Sequence, residues 1–179
     1  MDSDLEQFAQ NGWVKFEFDP EVAKWADAAR PAALAAAQDS KHAHWHQCQG
    51  TWFVGVDVLP NDARGDIAGQ GLDGLFDRIE PFVGPKRALH PAQVSIIYPG
   101  YPKPRETESE AAFGYRLKRD AAHVDGLRLE PESKKRVCAE YHAYVLGIPL
   151  TLASDDASPM VLWEGSHKAM GDVLRSALS

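Results

Sequence analysis

The sequence predicts an α+β domain in which helices from the first half brace a sheet or barrel built from short strands. Three observations carry that expectation. An alanine-rich stretch follows Asp19-Pro20, β-rich runs bounded by proline and glycine begin at Gln93, and no repeat, low-complexity tract or linker interrupts the 179 residues. An apolar content of 44% over that length is enough for one hydrophobic core.

Taken in order, Ser3 or Asp4 can cap a short helix that stops at Asn11-Gly12 and presents Leu5 and Phe8 on one face. Residues 13–18 (Trp-Val-Lys-Phe-Glu-Phe) then alternate apolar and polar after Trp13, the pattern of a half-buried strand. Asp19-Pro20 opens a second helix over 21–38, which Pro31 is expected to kink or divide. Residues 42–58 read as strand-like, with the best apolar run at 52–56, and Pro60-Asn61-Asp62 marks a turn. A short amphipathic helix over 72–80 is expected to end at Pro81 and Gly84-Pro85. Residues 93–98 form a β-rich run stopped by Pro99-Gly100, and 99–110 read as a long loop of the kind that often serves as a lid. Two more strands are expected at 138–146 and 160–163. Residues 1–90 are thus mainly helical support with some strands, and 91–179 hold the main β core of a single domain.

Composition narrows the function. A net charge of −7 argues against a nucleic-acid surface, which needs a basic stripe to neutralise phosphates. The cluster Lys134-Lys135-Arg136 reads as a solvated turn. Two distant cysteines, Cys48 and Cys138, indicate no disulfide framework, and a reducing, cytoplasmic setting is expected. The acidic start lacks the pattern of a signal peptide, and no apolar stretch is long enough to cross a bilayer. Neither a membrane nor a nucleic-acid partner is expected; a small-molecule substrate is.

The main chemical candidate is Ala121-Ala122-His123-Val124-Asp125-Gly126-Leu127. In a strand, residues two apart share a face, so His123 and Asp125 can reach one point. An imidazole and a carboxylate supply two of the three ligands of the facial triad that holds non-haem Fe(II) with open positions. The alternative is an ordinary surface His/Asp pair. A second candidate is His42, His44, His46 and Cys48, which strand alternation would place on one side as a Zn²⁺ or Cu⁺ set, or leave as exposed histidines. Tyr141, His142 and Tyr144 form a third group, serving either pocket or core. His90, before Pro91, reads as a loop residue. Nucleophilic catalysis has little support: Ser166 lacks a nucleophile elbow, and Cys138 has no helix N-terminus to lower its pKa. No phosphate-cradling glycine motif is present.

Further along, Val161-Leu162-Trp163-Glu164-Gly165-Ser166-His167 resembles the apolar strand and Pro-Gly-Ser-His signature of the phytanoyl-CoA dioxygenase-like family, where it follows a His-x-Asp strand. Glu164 stands where that family commonly has proline. The resemblance extends over the opening helix, Asn11-Gly12 and the strand after it, and the 93–98 strand that leads toward the metal site. It implies a double-stranded β-helix (jelly-roll, cupin-like) core, with Fe(II) and 2-oxoglutarate as cofactors. The implied activity is that of a dioxygenase hydroxylating a small molecule, with succinate and CO₂ released. It assigns His123 and Asp125 as catalytic metal ligands and leaves two readings of the third. Either His167 is that ligand and Arg175 binds the 2-oxoglutarate carboxylate, with Tyr141 a further contact, or the closing strands that carry the ligand and the arginine lie outside these 179 residues. A non-catalytic member of the family, a cupin-type metal protein that does not use 2-oxoglutarate and a metal-free binding protein are the alternatives.

Overall fold

The computed structural model describes residues 2–120, 122–138, 144–154 and 157–178. Helix α1 covers Asp2–Asn11 and helix α2 covers Pro20–Gln38. The Asp19 carboxylate caps α2 by accepting from the Glu21 amide at 2.8 Å, and Pro20 sits in the first turn, where its missing N–H costs nothing. The helix runs unbroken through Pro31. Asp27, whose carbonyl loses its partner there, lies on the exposed face and can be hydrated instead.

A 3₁₀ turn over Ser40–Trp45 leads into β1 (His46–Gln47), which pairs antiparallel with β2 (Trp52–Gly55). Helix α3 (Asp73–Val83) follows, continuing through Pro81 to Gly84. Strand β3 (Val94–Ile97) completes a three-stranded antiparallel sheet in the order β1-β2-β3, with Phe53 opposite Ile96 and Gly55 opposite Val94. Helix α4 (Glu110–Lys118), a two-stranded hairpin of β4 (Leu127–Leu129) and β5 (Arg136–Cys138), and helix α5 (Ser166–Leu178) follow. Lys134 and Lys135 lie in the turn of that hairpin, where the Glu130 and Lys135 backbones pair at 2.8 Å, and they are solvated as expected.

The core lies between α2, the first sheet and α3. Ala26, Ala29, Ala33 and Ala37 bring α2 close to the sheet, and Phe53, fully buried, fills the space between. Trp25 closes one end, its indole N–H donating to the Gly65 carbonyl at 2.7 Å. Gly65 has φ +87°, and a Cβ there would lie 2.9 Å from Leu89, so both its conformation and its surroundings call for glycine.

Several expected strands differ. Residues 13–18 are unpaired; Phe16 packs on a helix, edge-on to Phe82 at 5.6 Å and under the Arg78 guanidinium, while Phe18 is exposed. Residues 160–163 are likewise unpaired and exposed. Of the run 138–146, Cys138 ends β5, 139–143 lie outside the described residues, and 144–150 form an extended strap on the core. Among the described residues, helices are combined with two small antiparallel sheets and no barrel closes.

Phe53→Ala is expected to cost about 3–5 kcal/mol of unfolding free energy, because it empties the centre of this core. Urea denaturation of the two proteins measures the difference.

Candidate functional site

His123 and Asp125 sit in the connection between α4 and β4. The helix ends at Arg119, Asp120 turns the chain with φ +50°, and the Ala122 amide closes onto the Arg119 carbonyl at 3.0 Å. Gly126, with φ +77°, makes the second turn, into β4. Between the turns, His123 Nε2 and Asp125 Oδ1 face each other at 3.2 Å, with side-chain exposures of 75% and 52%. The expected strand is therefore a loop, and the expected convergence of the two side chains is present. At that exposure the pair adds little to stability.

The loop is anchored through α4. Ser109 caps that helix by accepting from the Ala112 amide. Arg116, nearly buried, forms a two-pronged pair with Glu108, Nε to Oε1 and Nη2 to Oε2, each at 2.8 Å. Glu108 Oε2 also accepts from the Arg105 amide at 3.0 Å, and Arg116 reaches the Lys103 carbonyl. The long loop read from the sequence is thus pinned to α4. The Arg116 guanidinium, followed by the Arg105 amide, holds the Glu108 carboxyl down to about 2. Sequence reading passed over this pair; an acid eight residues before an arginine, across a serine cap, was the available signal.

His167 is placed elsewhere. It opens α5 against the end of α1, where the Gly165 amide donates to the Asn11 carbonyl at 2.9 Å. His167 Nε2 lies 3.3 Å from the Ala9 carbonyl, one of the orphan acceptors of the last turn of α1, and donates to it. The other ring nitrogen lies over Gly12, 2.4 Å from where a Cβ would stand. Both ring nitrogens thus lie against the end of α1. Arg175 pairs with Asp172 on the exposed face of α5. Tyr141 and His142 lie outside the described residues.

The other histidines disperse. His42 and His44 lie in the 3₁₀ turn, whereas His46 enters the core side of β1 with its ring tilted against Phe53 at 5.0 Å and its Nε2 3.0 Å from the Ala37 carbonyl. Cys48 is buried with φ +53°. The alternation expected for these residues fails because only two residues of the segment are strand. His90 is an exposed loop residue, as its proline neighbour suggested.

Among the described residues, no three His, Cys, Asp or Glu side chains gather in an arrangement that could hold a metal. His123 and Asp125 fit two positions of a facial triad, and the described donors do not complete it. No helix is long and apolar enough to cross a membrane among these residues. Comparison with protein-family models, curated proteins and solved structures finds no match to this chain.

Two outcomes are expected of these contacts. Glu108 is depressed below its ordinary value of 4.5, so its stabilisation is whole above pH 4.5 and is lost as pH falls toward 2. The stability advantage of the native protein over Glu108→Gln, followed by urea midpoints against pH, should shrink across that window. Gly12→Ala should lower the thermal midpoint, because the residue is held at φ +85° and the added methyl meets the His167 ring.

Proposed function

We propose that this chain is a Fe(II)- and 2-oxoglutarate-dependent dioxygenase that hydroxylates a small molecule, releasing succinate and CO₂. His123 and Asp125 are its metal-holding pair. The observation that carries the reading is the approach of His123 Nε2 to Asp125 Oδ1, an imidazole nitrogen and a carboxylate oxygen 3.2 Å apart in an open loop. Those are the donor types of a non-haem iron site, at the sequence spacing the resemblance implies, and the exposure leaves room for a co-substrate. His167 is engaged with α1 and is not the third ligand in this reading.

A second reading has its own observation in support. The lack of a third donor among the described residues, together with the engagement of His167 and Arg175, favours a non-catalytic member that keeps the scaffold. Anaerobic Fe(II) titration with and without 2-oxoglutarate separates the two. A weak visible charge-transfer band that needs both components supports the oxygenase. Iron binding without the band points to a metal protein that does not use 2-oxoglutarate, and no iron binding supports the non-catalytic reading. In the first case, His123→Ala and Asp125→Ala should each abolish the band. His167→Ala should leave it intact while lowering the thermal midpoint.

A further inference from the structure

We infer that the protein binds a compact apolar molecule, aromatic or branched aliphatic, in a cavity beneath the strap of residues 144–150. The inference stands apart from the proposed iron chemistry and shares no residue with the His123–Asp125 loop.

The strap is extended and alternates strictly. Tyr144, Leu146, Ile148 and Leu150 are half-buried against the core, while Val145, Gly147 and Pro149 face outward. Among the described residues, none of its backbone groups is hydrogen-bonded to another element, so side chains alone hold it. Beneath it lies a cavity of about 200 Å³, walled on the opposite side by Trp25, Leu72, Phe76 and Ala92.

Two features favour an apolar ligand over water. The polar side chains of the inner wall, Trp25 and Asn61, are already engaged: the Trp25 indole N–H donates to the Gly65 carbonyl. The Asn61 amide donates to the His90 carbonyl at 3.0 Å and accepts from the Ala92 amide at 2.7 Å. A water inside would find few partners, and it needs two to four. The size is also suitable, since an apolar cavity of about 150 Å³ stays dry and takes up benzene. The larger space here suits a ring carrying a few more carbon atoms. The side chains of His90 and Gln93 are exposed at the edge, where a single polar end of the ligand would meet them.

The strap supplies the route of entry. An element without backbone pairing opens locally at less expense than a strand of the sheet. The opposite wall need not move, since Trp25 and Phe76 belong to α2 and α3.

The test is a titration of the full chain with fluorobenzene, followed by fluorine NMR. Saturable binding is expected for the native protein, weakened about tenfold or more by Ile148→Trp, which fills the cavity from the strap. Val145→Trp, on the outer side of the same strap, should bind as the native protein does. Absence of saturable binding by the native chain overturns the inference, and so does binding that survives Ile148→Trp. Should that variant fail to fold, Ala92→Phe blocks the same space from the opposite wall and is read in the same way.

Discussion

The fold depends on how closely one helix can approach one sheet. Helix α2 presents a face of alanines, so its backbone reaches the β1-β2-β3 sheet without large side chains between, and a single aromatic, Phe53, occupies the centre. Small residues give little burial each, but they set a distance at which Phe53, Leu75, Phe76 and Ile79 can all reach one another. A bulky residue at Ala29, which is wholly buried, would lever the helix off the sheet.

That arrangement is fastened at its edges by charges that do more than pair. Asp19 uses one carboxylate oxygen to cap α2 and the other to accept from Arg78 of α3 at 2.7 Å, so the helix start and its neighbour are set together. Arg78 also lies over Phe16, which lies edge-on to Phe82. The Glu108–Arg116 pair performs the same office for the loop before α4, and thereby fixes the base from which the His123–Asp125 loop springs. The pair is shielded from water on most sides, which is why its geometry is held where surface pairs wander.

Legibility in the sequence followed whether local chemistry or tertiary partners decide the outcome. Asp19-Pro20 located the start of α2, Asn11-Gly12 the end of α1, and residues 93–98 the strand β3, because caps, turn residues and β-branched runs act locally. Pro31 and Pro81 misled: helices tolerate proline where the orphaned carbonyl is hydrated or near an end. Residues 144–150 alternate in burial yet do not pair, since period-2 burial needs only one apolar surface beneath and not a neighbouring strand; residues 13–18 do not pair either and leave Phe18 exposed. At the candidate site, the nearness of His123 to Asp125 was legible from spacing alone. The position of His167 was not, because the carbonyl it meets is set by how α1 ends and by where α5 docks.

The meeting of His167 with Ala9 joins residues 158 apart in sequence. Closing so long a loop is not much harder than closing one half its length, since the entropic term grows only logarithmically, by about 0.6 kcal/mol per doubling. The contact is nevertheless non-local, and such contacts form after the local structure they connect. The contact between α1 and α5 therefore needs both helices in place before it can form. In the folded molecule the start of α5 supplies the donor that the last turn of α1 lacks within its own stretch of chain.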